Sequence, residues 1–214
     1  MPRHYCDLTA VGRNKADAVG AALRRFDPAL PVRLVESDVL EILRSAPDTL
    51  APAVRTFVAV ASVPVERRLN VLSRQLDLGT LVYAWIEPHA VAGHAVVVPA
   101  SSQGCFECLL DSNFRLGVRV LTNADKFERA DAGCRGAYLP YSGADAQTFA
   151  RAITRAALEY ADSTSCVFTW VGDIARARRE GWKIHPDWTS AEPFTLHKRR
   201  INVRADCPVC SPQE

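Results

Sequence analysis

Apolar positions along this chain recur either at helical spacing or in short unbroken runs, and the switches between the two mark its elements. Over 14–27, Val19, Leu23 and Phe26 share one helical face, and Asp27-Pro28 closes the helix. Val32 and Leu34 flank Arg33 as in a short strand. Residues 38–45 predict one short helix before the proline-rich stretch 46–52. The run 56–61 carries no charge and reads as a buried strand. Val65, Leu69, Leu72 and Leu76 then follow at i, i+4, i+7 and i+11, with Arg67, Arg68 and Arg74 turned outward. Two further apolar runs, 81–86 and 92–98, predict strands on either side of a short link. A strand, a helix and a strand again form a βαβ unit, so the expected fold is α/β with a largely parallel sheet flanked by helices.

Beyond residue 104 the periodicity fades, and Gly117, Gly133, Gly136 and Gly143 punctuate the chain. Order returns at Ser142 and Asp145, a capping-box pattern, followed by Phe149, Ile153, Ala156 and Tyr160 at helical spacing. A strand over 166–171, a short basic helix over 174–180 and one or two strands over 194–203 complete the reading.

Composition narrows the function classes. A chain of 214 residues, 48% hydrophobic, can bury the core of one α/β domain or of two small ones. Its 26 basic and 24 acidic residues are spread along the chain, which argues against a nucleic-acid surface. The apolar runs are too short to span a membrane, and the first residues hold no hydrophobic signal core. The expected compartment is therefore cytoplasmic, with neither nucleic acid nor membrane as partner.

In that compartment seven cysteines point to metal or thiol chemistry rather than to disulfides. Cys105/Cys108 and Cys207/Cys210 are both Cys-x-x-Cys pairs. A two-residue gap lets both thiolates of a pair reach one ion, and two pairs complete the tetrahedral shell of a structural Zn²⁺. A shared ion would staple the chain's end to its middle across 102 positions. Four thiolates leave no open position, so the metal is assigned to structure. Two independent pairs, a redox pair and buried free thiols are the alternative readings.

Cys6 and Cys166 read as bystanders. Cys134 lies in Gly133-Cys134-Arg135-Gly136, where Arg135 favours a thiolate, yet no base is identifiable nearby and an inert loop cysteine is the plainer reading. His89 and His94 read as turn histidines, exposed or bonded to the turn. The cluster His197-Lys198-Arg199-Arg200 reads as a charged strand edge.

Taken in order, these segments resemble the ThiF/MoeB/HesA-type ubiquitin-activating proteins, in the bacterial branch found with ubiquitin-conjugation-like operons. Arg3-His4, Val11-Gly12 and Asn14-Lys15-Ala16 are similar to the family's Arg-His…Val-Gly-x-x-Lys-Ala stretch. Arg67-Arg68-Leu69-Asn70 resembles the helix after its third strand, and Trp85-Ile86-Glu87-Pro88…Gly93-His94-Ala95 the strand pair before its zinc. Gly104-Cys105-x-x-Cys108-Leu109 and Cys207-x-x-Cys210 resemble its zinc half-sites. Gly133-Cys134…Tyr138-Leu139-Pro140-Tyr141-Ser142 is similar to its catalytic-cysteine loop.

The resemblance implies a Rossmann-like sheet, with residues 1–104 as the C-terminal part of an adenylation domain. Residues 105–214 would be a zinc-stapled region with an inserted cysteine loop and helix. It implies ATP and Mg²⁺ in the intact enzyme, adenylation of the C-terminal glycine of a ubiquitin-like or target protein, and thioester transfer to Cys134. Arg3 and Lys15 would hold the phosphates; without the family match, two solvated surface charges are as good a reading. A ubiquitin-conjugating-like protein and a second copy of the chain are the implied further partners. Two features depart from the pattern. No Gly-x-Gly-x-x-Gly occurs, so the phosphate cradle of backbone N–H groups is missing. The run 58–62 also lacks the Asp that holds Mg²⁺ at the end of the third strand. Met1 is then a mis-assigned start, the chain a fragment, or the protein a degenerate partner subunit. The rival function is a non-catalytic zinc-containing module that docks a ubiquitin-like protein. The expected outcome for the isolated chain is no ATP–pyrophosphate exchange above background; robust exchange with any ubiquitin-like substrate would contradict it.

Overall fold

The computed structural model describes residues 8–50, 53–76, 78–130, 137–160 and 163–211. Helix α1 (Lys15–Phe26) begins where Asn14 accepts the Ala16 N–H, and α2 (Val39–Ser45) where Asp38 accepts that of Leu40. Both are N-cap bonds that satisfy otherwise orphaned amides. Residues 32–34, expected as a strand, are irregular. A strand there has no partner to ladder with among the described residues, and Arg24 takes the Val32 carbonyl instead.

The core is a five-stranded sheet. In chain order come β1 (Arg55–Val58), α3 (Val63–Leu76), β2 (Thr80–Ile86) and β3 (Ala92–Val98). The short hairpin β4 (Arg129–Ala130) and β5 (Ala137–Tyr138) follows, then α4 (Gly143–Glu159), β6 (Cys166–Val171), α5 (Ile174–Arg179) and β7 (Thr195–Arg200). The strand order is β1-β2-β3-β6-β7.

Only β1 and β2 pair parallel, through the α3 crossover; every other pairing in the sheet is antiparallel. The expectation of a Rossmann-like, largely parallel sheet is therefore corrected. The βαβ unit is real, but it does not extend. Between Ile86 and Ala92 lie five residues, and a parallel connection needs a dozen or more. That link can only fold back as a hairpin.

Helices cover both faces, which is why the inner strands are mostly apolar. Leu81, Tyr83, Val96 and Val98 point to Leu69 and Leu72 of α3. The alternating Val82, Ala95 and Val97 point to Phe149 and Ile153 of α4. Gly93 lets α4 sit close: a Cβ there would lie 2.2 Å from the Phe149 ring. The capping box that starts α4 is formed, Ser142 and Asp145 each bonding the other's backbone N–H. Strand β7 is an exposed edge, as its basic residues suggested. Among the described residues no helix is long and apolar enough to cross a membrane.

His94, read above as a turn residue, is instead fully buried in β3. Its Nε2 lies 2.7 Å from Glu87 Oε1 and its Nδ1 3.0 Å from Thr169 Oγ1. Glu87 also accepts the backbone N–H groups of Val120 and Leu121, so one buried carboxylate ties the β2–β3 turn to the segment around 120. Sequence spacing conceals this because β2 and β3 are antiparallel neighbours, with His94 opposite Trp85. Glu87→Ala leaves one nitrogen of a buried imidazole and two amides unpaired, so the expected loss is about 3–5 kcal/mol of unfolding free energy. Urea denaturation of the purified variant measures it.

Candidate metal centre

Strands β3 and β7 flank β6 and run the same way, so both finish at one end of the sheet. Each is followed by a Cys-x-x-Cys turn. Gly104 enters the first in a left-handed conformation (φ +79°), and a Cβ there would lie 3.2 Å from the Ile201 carbonyl of the second segment. The 3₁₀ turn Phe106–Leu109 then places Cys105 and Cys108 on one side. Residues 204–211 form the second turn, closed by the Cys207 N–H to the Arg204 carbonyl and the Ser211 N–H to the Cys207 carbonyl. Arg204 joins the two, donating to the Leu110 carbonyl at 2.6 Å.

The sulfurs of Cys105, Cys108, Cys207 and Cys210 all lie within 4.8 Å of one another. The separations are 3.9 Å for Cys105–Cys108, 3.6 Å for Cys105–Cys207 and 3.3 Å for Cys108–Cys210. All four are free thiols, too far apart for disulfides. A tetrahedral Zn²⁺ with sulfur at about 2.3 Å requires sulfur–sulfur edges of about 3.8 Å, so the donor set fits that ion. Cys105 and Cys207 are buried and the other two half-buried.

Burial, with the nearby Cys108 and Cys207 charges, pushes the Cys105 thiol up to about 11, against the Asn70 amide and the Cys108 N–H. Burial and the adjoining thiols drive Cys210 up as well. Cys207 moves the other way: burial opposes its thiolate, but the Val209 and Cys210 N–H groups and the neighbouring thiols outweigh that. Without a metal the cluster therefore holds protons that a divalent cation must displace, which makes metal binding weaken as pH falls.

Helix α3 clamps the first turn. Arg67 grips the Glu107 carboxylate with contacts of 2.7 and 2.9 Å, and its guanidinium lies over the Phe114 ring. Asn70 Oδ1 accepts the Phe106 N–H, and Arg74 donates to the Ala100 and Gly104 carbonyls. The Phe106 ring rests on Tyr83 of β2, centroids 4.5 Å apart. Arg67 and Arg74 are thus half-buried against the cysteine turn rather than turned outward as the helical pattern suggested. The available signal was Asn70, a polar residue one position beyond the apolar Leu69 on a buried helix.

Of the other expected site residues, Lys15 opens α1 and is exposed, lining an open cleft with Asn14, Glu36 and Asp38. Arg3 and Cys134 lie outside the described residues.

No protein-family model matches the chain. The chain is 26% identical over 141 residues to the ATP-dependent ubiquitin transferase-like protein Cap2 of Pseudomonas aeruginosa. That match takes in 65% of this chain and 24% of Cap2. Among solved structures it is similar to E. coli MccB, with a TM-score of 0.55 at 12% identity, over 97% of this chain and 53% of MccB. The chain has an MccB-like fold. MccB solved with ATP superimposes with a TM-score of 0.53 at 13% identity, over 96% of this chain and 52% of MccB. The chain thus spans about a quarter of the length of Cap2 and about half that of MccB.

If the four thiols share one ion, purified protein carries a single zinc per chain and Cys207→Ser loses most of it. Elemental analysis decides this, and unchanged zinc in the variant would refute a shared site.

Proposed function

We propose that this chain is the zinc-stapled part of a ThiF-type, ubiquitin-activating-like adenylyltransferase. The observation that carries the reading is the sequence similarity to Cap2, an ATP-dependent ubiquitin transferase-like protein. The MccB-like fold and the four converging thiols support it. On this reading residues 1–104 close an adenylation domain, and 105–214 form a zinc-stapled region packed on it.

The substrates are ATP, with Mg²⁺, and a ubiquitin-like or other protein ending in glycine. A carboxylate oxygen of that glycine bonds to the α-phosphorus and pyrophosphate leaves. Arg3 and Lys15 are assigned to steady the phosphate charge. The Cys134 thiolate then attacks the acyl carbon, the carbon–oxygen bond to phosphate breaks, and AMP departs, leaving a thioester. Zinc takes no part in either step, since a four-thiolate shell offers no position to a substrate. A ubiquitin-conjugating-like protein would accept the acyl group, and the working assembly would be a homodimer.

Supplying a preformed acyl-adenylate bypasses the phosphate chemistry and tests the acceptor directly. The expected result is an adduct that thiol reagents cleave and that Cys134→Ala abolishes, read by intact-protein mass spectrometry. An adduct of equal yield in the variant would remove Cys134 from the reaction.

A further inference from the structure

Strand β7 pairs with β6 on one side only, so the backbone N–H and C=O groups that do not bond β6 stand open along the other. All of its residues but Thr195 are exposed. Four of them in succession, His197-Lys198-Arg199-Arg200, are basic. Side chains alternate between the faces of a strand, so positive charge lines both faces of this edge. His197 rests edge-on against Trp188, and the Lys198 Nζ lies 4.4 Å from the centre of the Tyr160 ring. The strand carries charge but lacks the other devices that blunt an edge. It has no proline, and its register with β6 runs unbroken from Thr195 to Arg200.

Two of the cations are uncommitted. Among the described residues the Arg199 and Arg200 side chains have no acidic partner, whereas the exposed Arg155 and Arg176 each hold a glutamate. Both line one cleft of about 200 Å³ where the strand ends, together with Gly117, Val118 and Asn202. At the other end the exposed side chains are apolar, Phe194 at 62% and Leu196 at 42%. A second copy pairing edge to edge would set two basic runs side by side, which repels that occupant.

We propose that the open edge of β7 is a docking site for an acidic, extended peptide segment of a partner protein, which adds to the five-stranded sheet as a further strand. Backbone hydrogen bonds fix the segment along the edge, its carboxylates meet the basic run, and an apolar side chain covers Phe194 and Leu196. A polynucleotide would answer the charge and leave the backbone groups of the edge unpaired, so the strand selects a peptide.

The probe is a fluorescently labelled synthetic peptide of alternating glutamate and valine, titrated with the purified chain and read by anisotropy. The expected result is saturable binding that weakens as salt rises and is at least about tenfold weaker in Arg199→Glu/Arg200→Glu. Strand pairing is read separately, with two versions of the peptide N-methylated at every valine or at every glutamate. Only one alternate set of amides faces β7, so one version loses binding and the other keeps it. Equal binding by the two versions overturns strand addition. No binding of the unmodified peptide at low salt overturns the site itself, and unchanged affinity in the double variant places the peptide elsewhere and overturns it too. A single-stranded oligonucleotide that binds as tightly and displaces the peptide overturns the proposal in favour of a general anion surface. If the double variant does not fold, Arg199→Ala and Arg200→Ala take its place singly, each expected to weaken binding.

Discussion

Everything on the α3 face depends on one constraint, that four sulfurs from segments 102 positions apart meet within 4.8 Å. The sheet makes this possible before any ion is involved. Cys105 follows the last residue of β3 by seven positions, and Cys207 follows the last residue of β7 by seven. The two strands are parallel to each other because each is antiparallel to β6 between them. Equal lengths of chain leaving the same end of the sheet arrive at the same place. An ion held there would close a domain-sized loop, and the entropy removed from the unfolded chain grows only slowly with loop length. Stabilisation by such an ion would therefore come from the metal–sulfur bonds themselves more than from the span they close.

The elements that were legible in the sequence are those with a strong local signature. The α3 and α4 stripes, the Ser142–Asp145 capping box and the unbroken runs of β2, β3 and β6 each carry their own evidence in adjacent residues. Strand direction carries none. A run buried on both faces looks the same whether its neighbours are parallel or antiparallel, and only the length of the links decides. The five-residue link after Ile86 held that information, but the βαβ unit before it suggested that the pattern would continue.

The site divides in the same way. Cys-x-x-Cys spacing is local, so the sulfurs could be named, while the groups around them are contributed by a helix some forty positions away. Arg67 and Arg74 fell on the presumed solvent side of α3 because an apolar stripe defines only one face. The cysteine turn then arrived from beyond β3 and covered the rest. His94 was misread for a related reason. A histidine inside an apolar strand is acceptable only if its ring nitrogens find hydrogen-bond partners, and here these are Glu87, seven positions away across a hairpin, and Thr169 on the neighbouring strand.

The sheet also has two ends with different duties, and this bears on where chemistry belongs. The cysteine turns are fed from the end at which β1 and β2 begin. In open α/β sheets ligands gather beyond the carboxyl ends of parallel strands, which here is the end of β1, β2 and the turn 87–91. That turn is strained, with His89 and Ala90 both at positive φ (53° and 51°), and strain of this kind persists only where surrounding contacts enforce it. One such contact is the His89 N–H to the Pro140 carbonyl, two residues beyond β5. The segment at Pro140 is therefore held at the end of the sheet where β1 and β2 finish, opposite the origin of the cysteine turns. The four-thiol cluster and the Pro140 segment thus stand at opposite ends of the sheet, so an ion held by the one would lie apart from the chemistry proposed for the other.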